Sequence, residues 1–256
     1  MFNFSLPENS LEGKTILITG ASDGIGLACG KAFADSGATV ILLGRNQEKL
    51  ESAYDEIDSI HPGKAIIHPM DFVTASAKDY TALSQSLDEQ FSCLDGLVHN
   101  AGLLGSRTPI EFYPEKEWVD LMQVNVNAAF YLSKALIPSL SRSLDARMIF
   151  TSSSVGRIGR AYWGAYAVSK FAVEGLMQTL ADELRNTTSI KVNSLNPGGT
   201  RTSMRRDAYP AEDPATQPTA ESIMPVYIYL MGKDTESITG RALNVREFDS
   251  KDLKGA

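Results

Sequence analysis

The chain has 256 residues, 43% hydrophobic and 21% charged, which supports a sizeable core and excludes global disorder. Its 24 basic and 31 acidic residues leave a formal charge of −7, arguing against nucleic acid or an anionic membrane as the main partner. Two solitary cysteines, Cys29 and Cys93, form neither a disulfide framework nor a metal-ligand cluster, so no metal is expected.

Strands are predicted over 14–19, 38–44, 64–70, 94–99, 146–152, 189–195 and 241–246, with amphipathic helices in most of the gaps. Before the first strand, Met1–Pro7 lacks a basic segment followed by an apolar one, so no signal peptide is expected. No apolar run approaches the roughly twenty residues of a membrane span, and a cytoplasmic protein is the default. The first strand, Thr15-Ile16-Leu17-Ile18, runs into Thr19-Gly20-Ala21-Ser22-Asp23-Gly24-Ile25-Gly26 and then a helical pattern. In such a strand–turn–helix, glycine permits close backbone approach and the helix-start amides can face a pyrophosphate.

The second strand ends at Gly44-Arg45, about twenty residues past the glycine turn. An acidic residue there would hold the ribose 2′-hydroxyl of NAD. Gly44 and Arg45 instead leave room and a guanidinium for a 2′-phosphate, which favours NADP over NAD. Asp23 pulls the other way, because its carboxylate can approach the same phosphate.

The third strand closes on Asp71 and Phe72, and the fourth on His99-Asn100-Ala101-Gly102. His99 reads as a packed histidine, since no second ligand stands at metal spacing. Next comes Gln123-Val124-Asn125-Val126-Asn127, in which Asn127 reads as a packing amide. Behind the fifth strand lies Thr151-Ser152-Ser153-Ser154, with Ser153 thirteen residues before Tyr166.

Tyr166 and Lys170, four apart, share a helix face. A cation about 4 Å from a phenol, at an effective dielectric near 20, is worth roughly 4 kcal/mol, or about three pKa units. That shift would bring Tyr166 toward the range where a general acid works best. Alone the pair also fits a helix with one aromatic and one solvated lysine; its company gives it weight.

After the sixth strand comes Asn196-Pro197-Gly198-Gly199-Thr200-Arg201-Thr202. Residues 201–221, carrying Pro210, Pro214 and Pro218, read as a long lid loop over a substrate, with Met204 and Tyr209 as lining groups. Trp163, with Arg157, Arg160 and Tyr162, is placed on the opposite lip. Arg205 and Arg206 read as a solvated loop in preference to a seat for an anionic substrate. A charged tail, 247–256, follows the last strand.

In this order, over nearly the whole chain, these landmarks resemble the short-chain dehydrogenase/reductase family. Thr151–Arg157 and Asn196–Thr202 resemble its bacterial YciK-type oxidoreductases in particular. Strand–helix alternation with right-handed crossovers gives an α/β, doubly wound parallel sheet of about seven strands with helices on both faces. In the family this is a three-layer Rossmann fold, here a single domain over 1–256.

The resemblance implies that Tyr166 exchanges a proton with the substrate and that Lys170 binds the nicotinamide ribose and acidifies the tyrosine. It makes Ser153 a hydrogen-bond partner of the substrate oxygen and Asn125 the holder of a water in a proton relay. It assigns to the cofactor Gly20, Ser22, Asp23, Gly24, Ile25 and Gly26 at the turn, Arg45 at the ribose, and Asp71 and Phe72 near the adenine. Asn100, Ala101 and Gly102 join them, as do Pro197, Gly198, Thr200 and Thr202 at the nicotinamide amide. The helices within Leu121–Leu140 and Ala165–Leu184 carry apolar positions on more than one face and are expected to pair subunits into a homodimer or homotetramer. The expected activity is hydride transfer between NADP(H) and a small carbonyl or secondary alcohol, without nucleic acid or membrane as partner. The alternatives are a silent NADP(H) sensor or scaffold, and a non-redox dehydratase or epimerase.

Overall fold

The computed structural model describes residues 4, 6–235 and 237–249. In chain order it contains β1 (Thr15–Thr19), α1 (Gly24–Asp35), β2 (Thr39–Gly44), α2 (Gln47–Asp58), β3 (Ala65–Pro69), α3 (Ala77–Gln90) and β4 (Gly96–His99). There follow α4 (Glu115–Met122), α5 (Ala128–Ser141), β5 (Arg147–Thr151), α6 (Gly164–Leu184), β6 (Lys191–Asn196), α7 (Ser203–Ala208), α8 (Met224–Met231) and β7 (Ala242–Asn244).

The strands form one parallel sheet in the order β3-β2-β1-β4-β5-β6-β7. A parallel sheet covered on both faces needs strands apolar on both sides, which is why β1 reads as a continuous apolar run and not an alternating one. Leu17, Ile41, Leu97, Met148 and Phe150 point to the side covered by α3, α5 and α6, among Leu83, Leu132 and Met177. Their neighbours Ile16, Ile18, Val40, Leu42, Val98 and Ile149 point to the other side, against Phe33 of α1 and Tyr227 of α8. Each such side chain, taken out of water, contributes about 1.5–3 kcal/mol as an upper estimate.

Helix starts are set by their caps. Asn46 Oδ1 accepts from Lys49 N at 2.9 Å, and Ser76 with Asp79 forms a capping box for α3. Between α4 and α5, Gln123–Asn127 is a π-helical turn that the sequence did not announce. Such turns concentrate at functional positions.

The order of strands reverses direction between β1 and β4, opening a crevice beyond their carboxyl ends. This is the expected doubly wound architecture, with three differences of detail. Residues 201–221 are not a structureless loop: they hold α7 and a short helical turn at Pro214–Thr216, a second turn begins at Glu221, and Arg201 bridges to Thr219 at their base. The last strand ends at Asn244, where Val245–Glu247 turns helically. Of the expected tail, 250–256 lies outside the described residues, whereas Phe248 packs on Phe4 and Tyr229 with ring centroids 5.7 and 5.6 Å away. Among the described residues no helix is long and apolar enough to cross a membrane.

Candidate active site

The glycine turn is built by close approach. Gly20 has φ +66°, and a Cβ there would stand 2.9 Å from Ala101 Cα. Thr19 Oγ1 accepts from both Asn100 N and Ala101 N at 2.9 Å, and Asn100 Nδ2 donates to Thr19 O at 3.2 Å. The ends of β1 and β4 are thereby locked together, with the start of α1 facing the crevice.

Gly26 has a different role from the one expected. It does not line the crevice; a Cβ there would lie 2.2 Å from Gly20 O, so it lets α1 pack onto the turn. Asp23 lines the crevice, yet its carboxylate is engaged by the fold itself. One oxygen accepts from Gly24 N and the other from Ser203 Oγ, both at 2.7 Å, tying the turn to α7.

The crevice has a volume of about 530 Å³ and gathers the remaining expected cofactor residues: Ser22, Gly24, Ile25, Arg45, Asp71, Phe72, Asn100, Ala101, Gly102, Pro197, Gly198, Thr200 and Thr202. At its β2 end Asn46 and Lys49 stand beside Arg45. Lys49 was missed in the sequence, although a lysine one turn into the helix after Arg45 was a readable signal.

At the other end lie Ser153, Tyr166 and Lys170. Ser153 hydrogen-bonds the phenol, and Lys170 Nζ donates to Thr151 O at 2.8 Å while standing 5.6 Å from the Tyr166 ring centroid. The expected acidification of Tyr166 by Lys170 is corrected here. Burial pushes the phenol up to about 12, and the Ser153 hydrogen bond offsets this only in part. The Lys170 ammonium is itself desolvated and lowered to about 8, with Glu174 pulling in the opposite direction.

Glu174 was also missed. One turn beyond Lys170 and 5% exposed, it accepts from Ser152 Oγ at 2.5 Å, Ser194 Oγ at 2.7 Å and Arg157 Nε at 3.1 Å. Arg157 therefore does not form a lip of the crevice; its guanidinium also donates to Asn244 Oδ1 at 2.7 Å and Leu243 O at 2.9 Å. A glutamate on the buried face of a helix was the available clue.

Asn125 sits in the π-helical turn. Its amide donates to Leu103 O and Ser169 Oγ, both at 3.0 Å, and its Oδ1 accepts from Leu103 N at 2.8 Å. It lines a separate cavity of about 10 Å³ behind the crevice, shared with Lys170 and Thr151. His99 closes that cavity and is packed as expected, stacked 4.4 Å from Phe150 with Nε2 2.9 Å from Ser133 Oγ. Burial holds its pKa down at about 3, so the ring is neutral.

Of the expected substrate residues, Trp163 stands beside Tyr166 and Tyr209 beside Trp163, while Met204 lines the same crevice. Arg205 departs from the solvated-loop expectation: it lines the crevice and is held by Glu212 through contacts of 2.7 and 2.6 Å.

A doubly wound sheet with a glycine turn at its switch point, and a serine, tyrosine and lysine gathered in the adjoining crevice, together define the class. The short chain dehydrogenase family pattern matches residues 14–213, and the chain belongs to that family of oxidoreductases. It is 47% identical to the oxidoreductase YciK of Escherichia coli strain K12 over 93% of this chain and 94% of that one. A short chain dehydrogenase structure from Pseudomonas syringae superposes with a TM-score of 0.93 at 51% identity, covering 96% of this chain and 99% of that one. Another, from Escherichia coli CFT073 complexed with NADPH, gives 0.91 at 47% identity and covers 94% and 100%.

Proposed function

We propose that the protein is a cytoplasmic, single-domain reductase that transfers hydride between NADP(H) and a carbonyl or secondary alcohol. The observation that carries this reading is the hydrogen-bonded Ser153–Tyr166 pair above Lys170, at one end of a crevice whose other end is a glycine turn.

The residues fit a dinucleotide. The crevice volume lies in the range of small-molecule sites, and the Gly20 and Gly24 turn leaves backbone exposed at a helix start. Arg45 and Lys49 together supply two cations for a 2′-phosphate, while Asp23 is engaged by Gly24 and Ser203. The NADPH bound by the Escherichia coli CFT073 relative supports the same preference. When bound, the nicotinamide supplies hydride to the carbonyl carbon.

The chain's own groups do the rest. Ser153 donates to the substrate oxygen and polarises the carbonyl. Tyr166, with its pKa raised to about 12, keeps its proton at neutral pH and delivers it to the oxygen as negative charge develops there. Lys170, adjacent on the helix face, would hold the nicotinamide ribose. The small cavity shared by Lys170 and Asn125 has about the volume of one water, which supports a proton resupply route through that side. Exposed Val119, Phe130, Val168 and Phe171 on α4, α5 and α6 support assembly into a homodimer or homotetramer.

Following NADPH absorbance against a panel of aldehydes and ketones tests this reading. Tyr166→Phe is expected to bind NADPH normally and to lose turnover by roughly a thousandfold. Binding without consumption would point instead to a sensor or a non-redox enzyme, and a normal rate in the variant would defeat the assignment of Tyr166.

A further inference from the structure

Beyond the catalytic phenol, the crevice wall is a run of aromatic rings. The Trp163 ring centroid lies 5.8 Å from that of Tyr166 and 6.1 Å from that of Tyr209, tilted by 47° and 50°. Leu103, Leu104 and Met204 add apolar surface to the same crevice.

Arg107, in the segment between β4 and α4, stands behind this wall and is absent from the crevice lining. Its guanidinium lies 4.6 Å from the Trp163 centroid and 4.9 Å from that of Tyr209, and it donates to the Ala208 carbonyl of α7. A second guanidinium, Arg205, lies 3.8 Å from the Tyr209 centroid and is neutralised by Glu212.

We propose that this end of the site takes an uncharged carbonyl compound with a flat apolar body, aromatic or alicyclic, and that Arg107 is a specificity-determining residue that holds the wall against it. The proposal rests on the hydride-transfer reading above and narrows its substrate. An anionic substrate needs a cation that is not already paired. Arg205 is bound by Glu212, Arg107 is turned behind the rings, and the acidic residue Asp207 lines the crevice. A cationic substrate would approach rings that already carry a guanidinium on the far side, and the two positive charges repel. An apolar body meets neither obstacle and gains by leaving water against Trp163, Leu104 and Met204. Arg107 joins three parts that are distant in sequence: the β4–α4 segment, the start of α6 and the end of α7. Its removal frees the Trp163 and Tyr209 rings to separate.

Calorimetric titration of the NADP-loaded protein with three benzaldehydes tests this, because the oxidised cofactor leaves an aldehyde unreduced. The probes are the para-isopropyl, para-carboxyl and para-trimethylammonio compounds. The isopropyl compound is expected to bind roughly tenfold or more tightly than either charged isostere. Arg107→Ala is expected to weaken it roughly tenfold and to narrow the preference, with NADPH affinity unchanged and Arg107→Lys intermediate. A charged isostere bound as tightly as the neutral one, or no binding by any of the three, overturns the substrate class. An unaltered preference in Arg107→Ala overturns the role of Arg107. Parallel NADPH assays separate the two readings: tight binding of the neutral aldehyde without consumption refutes hydride transfer alone, whereas preferred reduction of the carboxylate refutes the substrate class alone.

Discussion

Replacing Lys170 with methionine should uncover the energetic cost of holding an ammonium in the active site. Lys170 is 5% exposed, and desolvation lowers its pKa from 10.5 to about 8. Between those values the unfolded chain keeps a proton that the folded chain has released, so stability rises with pH across that window. Below about pH 8 the penalty is present in full, and a displacement of this size corresponds to about 3 kcal/mol. Methionine preserves most of the volume and removes the charge. It also leaves Thr151 O without the 2.8 Å hydrogen bond, an offset of about 1–3 kcal/mol that does not vary with pH. The prediction therefore concerns the difference between variant and wild type: the variant is favoured most at about pH 7, and the advantage shrinks by about 2–3 kcal/mol as pH approaches 10. Tyr166, raised from 10.0 to about 12, erodes stability only above that window, and both proteins contain it. Urea unfolding at fixed protein concentration across this pH range gives the measurement. A difference that stays flat with pH would refute the claim that burial destabilises the charged lysine.

Three further outcomes follow from other parts of the site. Arg45→Ala and Lys49→Ala should each weaken NADPH binding by roughly tenfold or more while leaving NADH affinity nearly unchanged, as read by fluorescence titration. Glu174→Gln should cost about 2–4 kcal/mol and lower the melting temperature by roughly 5 °C or more, because the part-buried Arg157 contact and two serine hydroxyls lose one of their acceptor oxygens to an amide nitrogen; calorimetry checks it. Gly26→Ala should abolish NADPH binding or folding outright, since a methyl group there meets the Gly20 carbonyl oxygen at 2.2 Å and backbone cannot yield as a side chain does; soluble yield and cofactor titration decide it.

Much of this protein was legible before any coordinates. Continuous apolar runs such as 15–18 and 38–43, alternating with helical periodicity, pointed to a covered parallel sheet, because strands buried on both faces leave a recognisable continuous pattern. The glycine turn, Arg45 and the Tyr166–Lys170 spacing were readable because each depends on neighbours within one element or one turn. The properties that arise from distant segments were not. Asp23 could be placed at the turn, but its bond to Ser203 joins residues 180 positions apart. Residues 201–221 looked structureless from their prolines, yet α7 is capped by Thr202, whose side chain accepts from Arg205 N at 3.1 Å.

The catalytic pair makes the division plain. Spacing along one helix determined that Tyr166 and Lys170 would share a face, and a Coulomb estimate at that spacing predicted an acidified phenol. Tertiary packing decided otherwise: Lys170 is buried with its ammonium on Thr151 O, Tyr166 is half-buried at the crevice wall, and desolvation raises the phenol more than the Ser153 hydrogen bond lowers it. Local order fixes which groups meet, but the dielectric around them is set by the surrounding tertiary packing, which no short stretch of sequence encodes.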